Sequence, residues 1–402
     1  MTALSFPIVR LRPKTDARKI RHGSPWVFDN ELVMDRRTKA IAPGTIALLE
    51  DGAREPLGLV AVNCASRIVA RMLDRDPNAT IDVDWIHARL ARALAMRARI
   101  YDAPYYRLVH AEGDGLPGVV IDRFDDSVVF QPNAAWTETL KAEFAEALLR
   151  LEGVTHVLKN ASGRARVLEG LDDSAEVLAG GAPDGPVPVP MNGATYLADL
   201  TGGQKTGLFF DQRPNHAFAA QLAPGARVLD VFSHVGGFGL AALAAGAAAV
   251  TCVDGSAPAL ALAEGGAAAM GQGDRLSVRC GNANAQMEAL AAEGALFDLV
   301  VCDPPAYAPK KSALEKGLRA YERVAMLAAP LVAEGGYLVL CSCSHAADLS
   351  RFRAACSRGI GRALAGSGRT AQLIHTGFAG PDHPMLPQLA ESGYLKALFY
   401  RL

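Results

Sequence analysis

Apolar and polar positions alternate in three different ways along the chain, and each pattern predicts a different kind of element. Up to about residue 73 the apolar residues come in short runs, Ile46–Leu49, Leu57–Val62 and Ile68–Met72, broken at Asp51–Gly52 and Asn63–Cys64. Short, closely spaced strands with turn residues between them predict a small β-barrel. The polar, proline-bearing stretch Asp74–Thr80 reads as a linker. From Val83 the period becomes helical. Val83, Ile86, Leu90 and Leu94 form one stripe of a helix reaching about Arg99, while Arg89, Arg92, Arg97 and Arg99 lie mostly off it. Strands at Val119–Asp122 and Val128–Gln131, a helix near Thr137–Leu151 and a strand at Val154–Lys159 complete a small α+β unit. Gly180–Pro190, rich in glycine and proline, marks its exit.

Past about Met191 short, fully apolar runs alternate with alanine-rich segments, the pattern of a parallel α/β sheet. Strands are expected at Arg227–Val231, Ala249–Asp254, Ser277–Cys280, Leu299–Asp303 and Gly336–Cys341. An antiparallel pair near Gln372–His375 and Leu395–Tyr400 would close the sheet. The fold class is therefore α/β at the C-terminus, preceded by a β-barrel and a small α+β domain, with divisions at 1–73, 74–190 and 191–402.

Composition narrows this picture. A chain of 402 residues is too long for one core, and half of it is hydrophobic, which argues against extensive disorder. There is no apolar run of 18 residues and no signal-peptide core near Met1–Arg12, so a cytosolic protein without membrane attachment is expected. The seven cysteines include no CxxC pair, which predicts reduced thiols and no metal site. A net charge of −1 hides a basic start: residues 1–40 hold nine Lys and Arg against four acids. Such a patch can hold phosphates, although a solvated basic face has the same composition.

Candidate chemistry collects at strand ends. The first strand of the sheet ends in Asp230, followed by Phe232–Ser233–His234–Val235–Gly236–Gly237–Phe238–Gly239. Glycines allow close backbone approach, and a helix N-terminus favours an anionic group. Asp254, before Gly255–Ser256, could meet a ribose, and Asn282, before Ala283, an adenine edge. Singly, each could be a helix cap or a turn. Together, on three consecutive strand ends, they point to S-adenosylmethionine (SAM). The loop is not GxGxxG and no Walker lysine motif occurs, which disfavours NAD and ATP.

Two further strand ends carry the reactive groups. Val300–Val301–Cys302–Asp303–Pro304–Pro305–Ala306–Tyr307 sets a carboxylate in a proline-stiffened turn, and Leu340–Cys341–Ser342–Cys343–Ser344 brings a thiol to the next strand. Carbon 5 of a pyrimidine is a poor nucleophile. A thiolate adding to carbon 6 activates it, an acid serves ring nitrogen 3, and a base later removes the carbon 5 proton. Cys343 and Asp303 are the candidates, with Cys341 a pleat deeper and read as core. The competing reading of Cys343 is a buried structural cysteine. A stacked base must be extruded to react. Tyr307 could stack on it, and Lys310 and Lys311 could hold neighbouring phosphates, or this loop could be a solvated turn.

The whole chain resembles the RlmI family of SAM-dependent 23S ribosomal RNA cytosine-5 methyltransferases. The resemblance rests on Arg21–His22–Gly23–Ser24–Pro25–Trp26–Val27–Phe28, on Tyr106–Gly118, on Lys205–Thr206–Gly207–Leu208–Phe209–Phe210–Asp211–Gln212–Arg213, on the DPPAYA and SCS elements, and on His383–Pro387 with Tyr394–Lys396. It implies a PUA domain that grips RNA, a central α+β domain and a class I methyltransferase domain. It also implies that Cys343 is the nucleophile, and Asp303 and Pro304 are further candidates for cofactor contact. Lys205, Thr206, Phe209, Asp211, Gln212 and Arg213 become candidates for cofactor or RNA contact, and Arg21 and Trp26 for RNA. The implied partner is 23S ribosomal RNA or a large-subunit assembly intermediate, with a homodimer left open.

The chain departs from the family's pattern at Asn282, where an aspartate is usual, and at His234–Val235, where Tyr–Thr is usual. Another group of RNA cytosine-5 methyltransferases carries a second cysteine where this chain has Ala306, so release here would need another base or water. Three alternatives stay open: methylation of a purine nitrogen, a non-catalytic RNA-binding or assembly factor, and a small-molecule methyltransferase.

Overall fold

Turn residues interrupt the first strands every few positions, giving β1 (Ile8–Arg10), β2 (Trp26–Phe28), β3 (Thr45–Glu50), β4 (Pro56–Val62) and β5 (Ile68–Asp74). The structure, a computed structural model, describes residues 6–202, 207–389 and 392–402. These strands form one sheet in the order β1-β3-β4-β5-β2. An antiparallel bridge between Leu11 and Leu32, just past the two edge strands, closes the sheet on itself and so removes its open edges. Val9, Leu11, Val27, Leu49, Val60 and Val69 fill its interior.

The helix Val83–Ala98 follows, its N-terminus capped by Asp82, which accepts from the Trp85 N–H at 2.9 Å. It covers a second sheet made of β6 (Tyr105–His110), β7 (Val119–Phe124), β8 (Ser127–Pro132), β9 (His156–Ala161) and β10 (Ser174–Ala179), in the order β10-β9-β8-β7-β6. The single helix expected near Thr137–Leu151 is in fact two, Ala135–Thr139 and Lys141–Leu149, broken at Leu140. The hydroxyls of Thr137 and Thr139 donate to the Ala134 and Ala135 carbonyls, side-chain bonding that competes with a continuous helix.

The chain falls into two compact units: Met1–Asp184 with Leu200–Thr206 and Pro381–Ser392, and Gly185–Asp199 with Gly207–Gly380 and Gly393–Leu402. In the first unit the fully buried Arg97 donates to both Asp114 oxygens at 2.6 and 2.8 Å and to the Asp382 carbonyl at 2.7 Å.

The second unit begins with a segment expected to be irregular. Part of the stretch read as a Gly/Pro exit, Gly180–Pro190, is strand: β11 (Val187–Met191) pairs with β12 (Ala194–Ala198) in a hairpin. Pro188 and Pro190 are exposed while Val189 and Met191 are buried. With a single partner strand, proline's missing N–H leaves no ladder bond unmade.

The main sheet holds β13 (Arg227–Val231), β14 (Ala249–Asp254), β15 (Leu276–Cys280), β16 (Phe297–Cys302), β17 (Val332–Ser342), β18 (Gln372–Gly377) and β19 (Lys396–Arg401). Their order is β15-β14-β13-β16-β17-β19-β18. The first five are mutually parallel, and β19 runs antiparallel to both neighbours. The central strands are mostly apolar because helices bury both faces. Strand order reverses at β13, flanked by β14 and β16. In such sheets the ligand crevice lies outside the carboxyl ends at that point. No described helix is long and apolar enough to cross a membrane.

Candidate active site

At the end of β13 the backbone is strained. Phe232 and His234 take positive φ of 65° and 50°, and Gly236 takes 81°. Two of these three residues are not glycine, and such conformations persist only where surrounding contacts impose them. Those contacts are visible. The N–H groups of Phe232 and Ser233 donate to the Val253 carbonyl at 2.8 and 3.1 Å, and the His234 N–H donates to Asp254 Oδ2 at 2.9 Å. Gly237 starts the helix Gly237–Ala244. A Cβ on Gly239 would lie 2.9 Å from Cys252 Sγ, so this helix packs on β14 only through a glycine there.

Asp230 is 1 % exposed. Its Oδ2 accepts from the Gly239 N–H at 2.8 Å, whereas Oδ1 has no hydrogen-bond partner. Burial, reinforced by the nearby Asp254 charge and opposed by the Gly239 bond, pushes its carboxyl up to about 7. Asp254 also accepts from the Ser256 N–H at 2.8 Å, and Ser256 caps the helix Ala257–Ala269. Asn282 caps the helix that begins at Ala283, its side-chain oxygen accepting from the Ala285 N–H at 3.2 Å. Both residues thus hold their loops in place at the strand ends.

The segment Phe209–Arg213 forms a 3-10 turn over Phe210–Gln212 and then enters the helix Arg213–Gln221. The Phe209 ring lies 5.1 Å from that of His234 in the glycine loop. Asp211 accepts from the Tyr394 hydroxyl at 2.7 Å. Gln212 donates from Nε2 to Asp303 Oδ2 at 2.9 Å and accepts from Asn215 at 2.7 Å. Lys205 and Thr206 lie outside the described residues.

Asp303 follows the last residue of β16, its N–H donating to the Val231 carbonyl at 3.2 Å. Burial, together with the charge of Asp211, pushes its carboxyl up to about 7 against the Gln212 bond. Asp230 and Asp303 are both raised towards neutrality, Asp230 has an unpartnered oxygen, and its charge adds to the rise of Asp303, a pairing that a nearby cation would relieve. SAM carries a sulfonium and an ammonium group, so these residues fit it.

Cys343 is the first residue past β17 and is half-buried. Because the strand ends at Ser342, pleat alternation does not extend to it, while Cys341 inside the strand is buried. Behind the thiol sits a buried hydroxyl cluster. Ser342 Oγ donates to the Tyr321 hydroxyl at 2.9 Å, Tyr321 and Ser344 Oγ share a bond of 2.7 Å, and the Ala308 N–H donates to Ser344 Oγ at 2.8 Å. This cluster ties the thiol's strand end to the Pro304–Ala308 turn. The Tyr307 ring packs 5.1 Å from Tyr321, and Pro304 is buried, whereas Lys310 and Lys311 are exposed.

Arg21 and Trp26 belong to the first unit and are engaged there. Arg21 pairs with Asp51 at 2.7 Å, and the Trp26 indole N–H donates to Glu112 at 2.8 Å. The structure also brings in residues that sequence patterning passed over. Tyr196, from β12, donates to the Gly237 carbonyl at 2.9 Å, and the His216 ring meets Phe238 at 4.4 Å. Burial holds His216 down at about 3, hence neutral. Lys396, at the start of β19, donates to the Ser344 and Ala347 carbonyls beside Cys343.

Residues 137–361 match the family model of S-adenosylmethionine-dependent methyltransferases, and residues 9–75 that of a PUA-like domain. Ribosomal RNA large subunit methyltransferase I of Alteromonas mediterranea is 33% identical over 394 residues, 97% of each chain. The protein of that name from Vibrio cholerae serotype O1 is 33% identical over 388 residues, 94% of this chain and 95% of its own. Among solved structures, a methyltransferase complexed with SAH gives a TM-score of 0.82 at 19% identity, covering 99% of this chain and 100% of that one. A SAM-dependent methyltransferase from Streptococcus mutans gives 0.81 at 18%, covering 98% and 100%. At such identities the two structures speak to the fold, which is that of class I methyltransferases following a PUA-like domain.

Proposed function

The chain belongs to the family of ribosomal RNA large subunit methyltransferase I, and from that premise we propose that it methylates carbon 5 of one cytosine in 23S ribosomal RNA, with Cys343 as nucleophile. The carrying observation is an acid and a thiol just past the ends of two paired strands, Asp303 after β16 and Cys343 after β17. Methylation of a purine nitrogen would need no thiol there.

The cofactor is SAM, which supplies an electrophilic methyl group when bound. Asp230, the Phe232–Gly237 backbone, Asp254, Asn282 and the Phe209–Arg213 turn would hold it. The Cys343 thiolate adds to carbon 6 of the extruded cytosine and makes carbon 5 nucleophilic. Asp303, raised to about 7, is partly protonated at neutral pH and can donate a hydrogen bond or proton to ring nitrogen 3. After methylation a base or water removes the carbon 5 proton, the sulfur–carbon 6 bond breaks, and the thiolate returns. Ala306 offers no second thiol for that step. Tyr307 would stack on the base, Lys310 and Lys311 would meet phosphates, and Arg21 and Trp26 would mark the RNA face of the barrel.

RNA carrying 5-fluorocytidine tests the covalent step, because fluorine cannot leave as a proton does. With SAM the wild-type chain should form a denaturant-stable RNA adduct at Cys343 and Cys343→Ala none. An enzyme that methylates its RNA yet yields no adduct would overturn the thiol route.

A further inference from the structure

Lys396 is 5 % exposed and directly opposite Ser342 in the antiparallel pair of β17 and β19. Its ammonium donates to the Ser344 carbonyl at 2.8 Å and the Ala347 carbonyl at 2.7 Å. Those carbonyls belong to the turn between Cys343 and the helix Leu349–Ala363, so one side chain spans the whole connection that follows the thiol. Both acceptors are neutral, and no ion pair involving Lys396 occurs among the described residues. A buried cation without a carboxylate partner is expensive to maintain. If fastening the turn were its only role, an uncharged donor would do that at lower cost.

Two ionisable groups feel this charge, Cys343 first and then Asp348, and Asp348 is exposed to solvent. We propose that Lys396 is a positioning residue that clamps the Cys343 turn and supplies the uncompensated positive charge under which the thiol ionises. Attraction between an ammonium and a thiolate is mutual. Burial brings Lys396 down to about 8, and the influence of Cys343, followed by that of Asp348, works in the opposite direction. Lys396 is therefore mainly protonated at neutral pH and favours the thiolate form of Cys343. The other facing groups do not displace it. Asp348 caps the next helix through the Arg351 N–H at 2.9 Å, the Tyr321 hydroxyl is taken by Ser342 and Ser344, and His345 is exposed. The catalytic use of this charge rests on Cys343 being the nucleophile, but the charge itself can be tested separately.

The experiment is the pH profile of iodoacetamide alkylation in the full chain, read at Cys343 and at the exposed Cys280 by peptide mass spectrometry. In wild type Cys343 should reach half-maximal reactivity at least about one pH unit below Cys280, roughly a tenfold excess of thiolate. Lys396→Met should move the Cys343 profile up by about a unit and leave that of Cys280 unchanged, and Lys396→Arg should restore it. A folded Lys396→Met with an unshifted profile would overturn the proposal. So would a wild-type Cys343 that ionises no earlier than Cys280, a comparison that stands even if the methionine variant fails to fold. Alkylation does not depend on methyl transfer, so failure of the nucleophile reading would show only as retained activity in Cys343→Ala.

Discussion

Asp230→Asn should make the SAM-free methyltransferase unit more stable at alkaline pH while weakening SAM binding. In the native chain the carboxyl moves from an ordinary value of 3.8 to about 7. A carboxyl raised by folding binds more protons folded than unfolded. Its penalty is therefore absent below pH 4, grows as pH rises towards 7 and is complete above it. About three pH units at 1.36 kcal/mol each make that penalty about 4 kcal/mol. Asparagine escapes it, and its oxygen can still accept from the Gly239 N–H. Its amide nitrogen would replace the unpartnered Oδ1 as a buried donor, costing about 1–3 kcal/mol at every pH. Relative to wild type, the variant should thus gain about 4 kcal/mol between pH 4 and 8, whatever the constant offset. Hydrogen exchange of the Arg227–Val231 amides reads this directly in a chain whose two units need not unfold together. Cationic SAM should stabilise the wild type far more than the variant at pH 8. A stability difference that stays flat between pH 5 and 8.5, or SAM binding untouched by the substitution, would refute the reasoning.

Other expectations concern single contacts. Gly239→Ala places a Cβ 2.9 Å from Cys252 Sγ and 3.0 Å from Val250 Cγ1. Overpacking of about 1–3 kcal/mol should appear in urea unfolding. Tyr321→Phe removes the hydroxyl joining Ser342 to Ser344. It should cost about 1–3 kcal/mol in urea unfolding and slow methyl transfer by loosening the Cys343 turn. Cys341→Ala should retain methyl transfer in a tritiated-SAM assay and lose about 1 kcal/mol of stability for a small buried group, whereas Cys343→Ala should lose transfer altogether.

The sheet was legible where information is local. Strands inside a parallel sheet are buried on both faces, so Arg227–Val231 and Ala249–Asp254 announce themselves as mainly apolar runs with an acid at or next to the end, and their boundaries match β13 and β14. Edge and hairpin strands were less visible. Pro188 and Pro190 disguised β11 as a linker, although both prolines lie on its exposed face. The Thr137–Leu151 helix was legible as helix but not as two, because the break at Leu140 depends on hydroxyl-to-carbonyl bonds that periodicity does not register. At the site, acids, glycines and thiol could be named from their positions at strand ends. The groups that set their behaviour could not. Gln212 reaches Asp303 across 91 positions, and Lys396 reaches the Cys343 turn from the last strand. A lysine in the sequence carries no mark that it will be buried beside a cysteine.

The central claim is tested most directly by incubating the protein and Cys343→Ala with SAM and 23S RNA stripped of its modifications, then analysing the nucleosides by mass spectrometry. The account predicts 5-methylcytidine from the wild type and none from the variant. A methylated purine, or 5-methylcytidine undiminished in Cys343→Ala, would contradict it.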